Sequence, residues 1–594
     1  MRLSQTVFGI AAILVMMSGC SKTKEASHRP FKFTIETDFD HAVVNIPVES
    51  VGNAPILYDM DCDGDGEFEQ KSLNGNAECR FDSRGMHQIA LRGQIPSIKL
   101  GDIYMYCSDD SCMESCEQIC AQDCEIADRL FWATHEYYLG APALESTYGS
   151  MFYICHSDSW VTEQNNYCTN SCTKDVDGTI KPLIGDAKSE DLRWRSGLHI
   201  LSIDQWGDIE WRSMEEFAYS CGNIHIHATD APNLSKVESM SMMFRGAMQM
   251  DERIGHWDVS QVKDFSQMFV DCRMFNQPLD AWDLSSATDL SFMFMACHEF
   301  NQPIDHWDVS HVTDMHRMFS RCDRFNQNIG GWDVSNVTDM QGMFLQAVSF
   351  NQDIGKWQVG NVTAMNEMFS NAVLFNHPIG RWDVSNVENM ESMFDHAERF
   401  NQPLNDWDVS GVEDMHMMFY HAHSFNQPLD KWNVSGVETM EAMFSYATEF
   451  DQPLDKWDVS GVEDMSHMFM HAEKFNHAID RWDVSTVLDM NGMFYGALAF
   501  NQPLNAWDVS GVESMYEMFK GAESFNQPLD RWDVSGVESI YEMFRDAKSF
   551  NQDLSTWDIS HAKYKEDMFE GAVNYRPQAH GKVKAKSHAA GKKK

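Results

Sequence analysis

Basic residues are in short supply: 45 Lys and Arg face 90 Asp and Glu, and the formal charge of the 594-residue chain is -45. A body of that sign repels phosphate backbones, which excludes nucleic acid as its partner and favours basic proteins, divalent cations or a positively charged surface patch. The last stretch, Arg576 to Lys594, holds seven basic residues and no acidic one, so the remainder carries -52. Such a tail reads as disordered, in contact with anionic envelope polymers or folded back on the acidic body. Long apolar runs are also missing. The one that exists, Val7 to Met17, is too short to span a bilayer as a mature helix. No Cys-x-x-Cys pair occurs anywhere, which counts against zinc. Nor can a nucleophile, a base and an oxyanion donor be assembled, so the chain reads as no enzyme; the weakest alternative places a site in its Cys-rich segment.

What fills the chain is one unit, represented by Trp407 to Asp430, WDVSGVEDMHMMFYHAHSFNQPLD. Near-copies begin at thirteen tryptophans from Trp257 to Trp557, 25 residues apart with no insertion or deletion. Such units are too small to bury their own apolar face and must stack on their neighbours, so Trp407 and Trp432 are expected side by side in a solenoid. Counting Trp as slot 0, Met fills slot +11 and Phe slot +12 in all thirteen units. Slot +2 is Val, Leu or Ile, slot +3 is Ser except at Gly360, slot +5 is Val or Ala, slot +8 is usually Met, and slot +15 is Ala or Cys. The slots between vary among charged and polar residues.

Slots +5, +8, +12 and +15 have the spacing of one helical apolar stripe, with Ser +3 as N-cap and Glu at +6, as in Ser410 to Glu413, completing a capping box. The spacing predicts a helix from about +4 to about +15. A turn at Asn-Gln-Pro follows, then a short strand near Leu429 to Val434. The predicted fold is therefore an α/β solenoid with one parallel strand per unit. The Asn at slot +19 reads as a turn residue able to bond the neighbouring unit's backbone.

The columns have plain packing readings and sharper rivals. Asp at slot +1 caps the adjacent helix or forms a cation stripe. The Met columns are core rather than copper ligands, and Cys272, Cys297 and Cys322 at slot +15 are small buried fillers, of which a neighbouring pair could oxidise. His396 and His421, adjacent in slot +14, could hold a metal only with a third ligand.

These units resemble the BspA-like, leucine-rich-repeat-related surface repeats of bacterial lipoproteins, which read FNQPLxxWDVSxVxxMxxMFxxAxxFNQ. The resemblance covers residues 197 to 575, with 197–256 as two degenerate capping units: Trp206, Trp211, Met214 and Cys221, then Val237, Met240, Phe244 and Ala247, keep the register. It implies display at the cell surface and binding of a host or neighbouring-cell protein or glycan, without an assigned chemistry. A structural, divalent-cation-dependent envelope protein is the other function that exposure and charge allow.

Upstream of the array, Met1 to Cys20 reads as a signal peptide with a lipobox-like end, and resembles bacterial lipoproteins in which Cys20 would carry the lipid; an ordinary secretory signal is the alternative. That resemblance implies an outer-membrane or other cell-surface location. Residues 21–30 form a polar tether. Residues 31–100 alternate apolar and polar in short runs, as a β-sandwich does, and hold Asp59, Asp61, Asp63 and Asp65 before Gly66. Carboxylates at alternate positions match the first half of an EF-hand loop and predict calcium, though position twelve is Gln70; the same hairpin resembles the acidic hairpin of PKD-like domains, and an unliganded hairpin is the rival. Cys62 and Cys79 flank it as a cross-strand disulfide or as two buried thiols. Residues 101–196 read as an insertion with Cys107, Cys112, Cys116, Cys120, Cys124, Cys155, Cys168 and Cys172. The even count predicts disulfide staples, and a thiolate metal site is the alternative.

Overall fold

The computed structural model describes residues 29–37, 41–107, 172–174, 180–182, 194–195 and 200–576. The N-terminal part has two main sheets, with a two-stranded pair of Val48–Glu49 and Ser97–Ile98 beside them. One has six strands in the order His225–Ile226, Ile200–Gln205, Phe31–Thr37, Gly85–Gln94, Leu57–Asp61 and Gln70–Leu73. The other has four, Trp194–Arg195, Tyr104–Cys107, Ala42–Ile46 and Ala77–Phe81. Alternation sets the inward face: Phe31, Phe33, Ile35 and Thr37 are buried, with half-buried or exposed residues between them. Tyr104–Cys107 pairs with Ala42–Ile46, so the domain runs past residue 100 before the Cys-rich segment begins.

This domain is joined to the repeats by backbone and by core. Ile200–Gln205 pairs antiparallel with Phe31–Thr37 and parallel with His225–Ile226 of the first degenerate unit. Phe31 stacks on Trp206 at 5.9 Å and meets Trp211 edge-on at 5.3 Å. The chain crosses so closely here that a Cβ on Gly207 (φ +69°) would lie 2.4 Å from the Pro30 carbonyl oxygen.

From Trp206 to Arg576 the units stack one on the next. Trp407 and Trp432 are parallel rings with centroids 6.5 Å apart, and the same column runs through Trp457, Trp482, Trp507, Trp532 and Trp557. A second column pairs Phe419 with Phe425 within a unit at 4.0 Å and Phe419 with Phe444 across units at 5.6 Å. Offset stacking of this kind adds to burial about 0.5 to 1.5 kcal/mol per pair. The buried side chains of both regions make one continuous hydrophobic cluster.

The helix and the strand expected in each unit are both absent among the described residues, and the reason is in the backbone. In the unit at Trp407, Met417 and His421, slots +10 and +14, have φ of +54° each. The same two slots are left-handed in every unit, and a left-handed residue every fourth position breaks the i→i−4 ladder of a helix. The amides divide instead. Those of Met418, Tyr420 and Ala422 bond back three residues to Met415, Met417 and Phe419, closing successive tight turns. Those of Met415, Met417, Phe419 and His421 donate to the carbonyls of Thr439, Glu441, Met443 and Ser445 in the next unit. The only parallel bridges between regular units, such as Asp414 to Thr439, fall here, inside the predicted helix, and not at Leu429 to Val434. Met415, Met418, Phe419 and Ala422 are still buried. Over eight residues, a period of four turns the same side chains inward as a period of 3.6.

Ser at +3 caps no helix. Asp408 at +1 instead accepts the Ser410 amide at 3.1 Å and hydroxyl at 2.7 Å, a local turn repeated down the column.

A substitution separates the two backbones. At Ala296 (φ +59°), a helix would rank Ala above Val above Gly, whereas the left-handed conformation should make Ala296→Gly neutral or stabilising by up to about 1 kcal/mol and Ala296→Val destabilising by about 2 kcal/mol. Urea midpoints of the two variants decide the order.

Candidate functional site

Two sets of ionisable groups come together, one in the N-terminal domain and one along the ladder. In the first, the turn after Leu57–Asp61 folds around Asp61, which is fully buried. One of its carboxylate oxygens accepts the amides of Asp63 and Gly64 at 3.2 and 2.7 Å, and the other accepts Gly66 at 2.9 Å. Asp63 and Asp65 in turn accept the amides two residues on. The ligand atoms of Asp61, Asp63, Asp65 and Glu69 lie within 4.8 Å of one another.

The frame of this loop starts two residues later than the sequence pattern suggested. Asp59 is elsewhere: it accepts the Ser72 amide at 3.0 Å and pairs with Arg92 at 3.1 Å, and these partners outweigh burial to hold its carboxyl below the usual range. Asp61 takes position one, Gly66 (φ +92°) the sixth, and Glu69 the ninth. Asp61-Cys62-Asp63-Gly64-Asp65-Gly66 carries the same alternating pattern as the earlier frame, and Glu69 was the residue that reading from Asp59 missed. Four carboxylates on one turn fit a hard divalent cation such as calcium. Next to the loop, Cys62 and Cys79 form a disulfide with Cα atoms 5.5 Å apart. Cys20, Cys112, Cys116, Cys120, Cys124, Cys155 and Cys168 lie outside the described residues, as do the side chains of Cys107 and Cys172.

Along the ladder, slot +7 is Asp in Asp264, Asp289, Asp314 and Asp339, four consecutive units linked by parallel bridges. Each accepts the amide two residues on, as Asp289 does from Ser291 at 2.8 Å. Burial, with the neighbouring Asp314 and Asp264, pushes Asp289 up. Histidine at slot +9 answers this charge twice. His316 Nδ1 lies 2.6 Å from Asp314, and His416 lies 2.8 Å from Asp414 on one side and 3.1 Å from Glu391 of the preceding unit on the other. The two carboxylates push His416 up to about 10. Asp314, His316 and Asp339, and likewise Glu391, Asp414 and His416, are groups whose ligand atoms could share an ion. His at +9 two residues after Asp at +7 was the signal available in the sequence.

His396 and His421 behave differently. Their rings stack face to face at 4.3 Å, continued by Tyr446 and His471. Burial, then His396 and His423, hold His421 down to about 4. No third ligand joins this pair among the described residues. The thiols of Cys272, Cys297 and Cys322 are free and buried, and each donates to the slot +12 carbonyl of the preceding unit at 2.9 to 3.0 Å. Burial pushes all three thiols up, which disfavours the reactive thiolate.

Calcium at a hundredfold its dissociation constant is expected to stabilise the N-terminal domain by about 2.7 kcal/mol. Asp61→Asn and Glu69→Gln should each weaken that response at least tenfold, and Asp59→Asn should leave it intact; calorimetric titration reads all three.

The two histidines give opposite pH dependences. His416, raised in the folded state, stabilises fully below its unfolded value of 6.5 and loses that stabilisation as pH climbs through about 10. His421, depressed, gives stability present above 6.5 and lost as pH falls toward 4. His416→Gln should remove about 1 to 2 kcal/mol at pH 6, solvent screening keeping the effect this small, and flatten the alkaline limb of the urea midpoint. His421→Phe should flatten the acid limb alone.

No curated protein and no solved structure matches the chain. The family model described as Mycoplasma protein of unknown function, DUF285, matches residues 212–329, 288–406, 393–497 and 471–581, which is more than half of the chain. The protein, with its 25-residue aromatic units, belongs to that family.

Proposed function

We propose that this is a lipid-anchored protein of the bacterial cell surface whose stacked units form a solenoid that binds protein or glycan on host or neighbouring cells. The observation that carries the reading is the division of labour within each unit. The slots that never vary, Trp +0, Met +11 and Phe +12, are buried up to the last unit, the near-constant Asp +1 and Ser +3 bond each other in a turn, and the Asn at +19 is committed to backbone. The variable slots lie outside, on a frame that their substitution does not disturb.

Slot +6 illustrates this. Thr288, Thr313, Thr338 and Thr363 form one exposed column, then Glu388, Glu413, Glu438 and Glu463 continue it in the following units. The change from hydroxyl to carboxylate leaves the backbone bonds alike: the Thr338 amide donates to Thr313 and the Glu438 amide to Glu413, each at 2.9 Å. A surface free to change in this way suits recognition better than catalysis, which needs a fixed set of groups.

A second reading, a cation-dependent envelope protein, draws support from the loop around Asp61, Asp63, Asp65 and Glu69. The two are compatible, since a cation in that loop would stiffen the domain that holds the array.

Reversing charge at Glu413→Lys, Glu438→Lys and Glu463→Lys together should cut retention on immobilised host or neighbouring-cell surface glycoprotein at least tenfold with the melting curve unchanged. Unchanged retention in this variant, and also in a Thr313→Lys, Thr338→Lys, Thr363→Lys variant, would sink the proposal.

A further inference from the structure

The ladder between units has a direction. Every unit sends the amides of its slots +8, +10, +12 and +14 onward, as Ile540, Glu542, Phe544 and Asp546 donate to the carbonyls of Tyr564, Glu566, Met568 and Glu570. The two ends of the stack are therefore unlike. At the first end the leftover groups are carbonyls, and the N-terminal domain is seated on that edge: the Leu100 amide donates to Phe217 O at 2.6 Å, and Lys99 pairs with Glu216 at 2.6 Å. At the last end the leftover groups are donors. Lys565 turns its amide to the Glu566 carboxylate, but the amides of Asp567, Phe569 and Gly571 have no acceptor among the described residues. Beside them Tyr564 and Val573 are 60% and 65% exposed, and Phe569 and Tyr575 are half-buried where their counterparts in earlier units are fully covered.

A partner for this edge must bring carbonyls, some apolar surface and positive charge, because Glu566, Asp567 and Glu570 stand exposed around the three amides. A second copy does not fit. Its own last end offers donors again, and the N-terminal domain is already seated on its first end. The chain leaving Arg576 does fit. Arg576 is still seated in the Asn ladder, its amide 2.9 Å from Asn551 Oδ1, and 18 residues follow it. A single extended pass over slots +8 to +14 takes seven of them, about 23 Å. Within the 18, Lys582, Lys584 and Lys586 alternate with Val583 and Ala585. In an extended chain that places lysines on one side and apolar groups on the other.

We propose that residues 577–594 fold back over the last unit as an extended segment, giving backbone carbonyls to Asp567, Phe569 and Gly571 and lysines to the carboxylates beside them. The tail would thus close the end that the N-terminal domain cannot reach.

Hydrogen exchange of residues 564–576 in the full-length protein tests this. Wild type should exchange there at least tenfold more slowly than an unprotected chain, and Lys582→Glu, Lys584→Glu, Lys586→Glu should remove most of that protection, as should 0.5 M salt to a smaller degree. Peptides from residues 400–500 serve as the folding control and should not change. Free exchange in wild type overturns the proposal. So does protection that survives the charge reversal, and if that protection also falls on dilution, a second copy is the occupant.

Discussion

The pair of left-handed residues at slots +10 and +14 is the constraint on which the array depends. A helix would satisfy each unit's amides internally and leave the units to meet only through side chains. With left-handed residues four apart, half of the amides point out of the unit along the stack, in the alternation of a parallel β-ladder, while the other half close turns. Each non-glycine residue held there costs of order 1 kcal/mol, a cost recovered only once the next unit supplies its carbonyls. A unit alone would keep the strain and lose the bonds, so the stack is cooperative by construction.

Side chains copy that one-unit step. The Asn401 amide oxygen accepts the backbone amide of Asn426, and Gln427 donates to the same oxygen. The indole of Trp432 donates to Leu404 O at 3.0 Å, and Thr338 donates its hydroxyl to Thr313 O at 3.1 Å. The Trp and Asn groups among these are buried or half-buried, and each would cost about 1 to 3 kcal/mol if left without a partner. They therefore fix the lateral position of one unit on the next, where stacked aromatic rings alone would allow sliding. The indole column fails only at the first end, where Trp206, Trp211 and Trp257 leave the indole nitrogen without a partner because no regular unit precedes them.

How far the sequence can be read follows from the same geometry. The 25-residue period, the side-by-side tryptophans, the Asn column, the burial of Met415, Phe419 and Ala422, and the alternation that makes Phe31–Thr37 a strand are all visible in residue types, because burial selects those types directly. Left-handed backbone selects only weakly. Its trace is that no Val, Ile or Thr occupies slot +10 or +14 in any of the thirteen units and that Gly recurs there, at Gly342, Gly492, Gly496, Gly521 and Gly571. At Gly496 the need is also steric, since a Cβ would lie 2.4 Å from the ring of His471. A stripe of period 3.6 masked that trace. In the acidic loop the pattern Asp-x-Asp-x-Asp-Gly fits two frames, and only the contact of Asp59 with Arg92 selects the later one.

The ladder also decides what a surface residue can be. Slots +9 and +14 both carry histidine, yet His416 is pushed up by carboxylates that the +7 column and the neighbouring unit bring to its edges, while partial burial in a stack of rings, with His396 and His423 beside it, pushes His421 down. The difference comes from the slot, not from the residue type. A chain built this way can place charge, hydroxyl or aromatic edge at a chosen height along one wall by a single substitution, and the neighbours above and below set its protonation state. The frame therefore stays constant while most outer slots change: thirteen units keep Trp, Met and Phe fixed, and on the outer face they share mainly the turn in which Asp +1 accepts Ser +3.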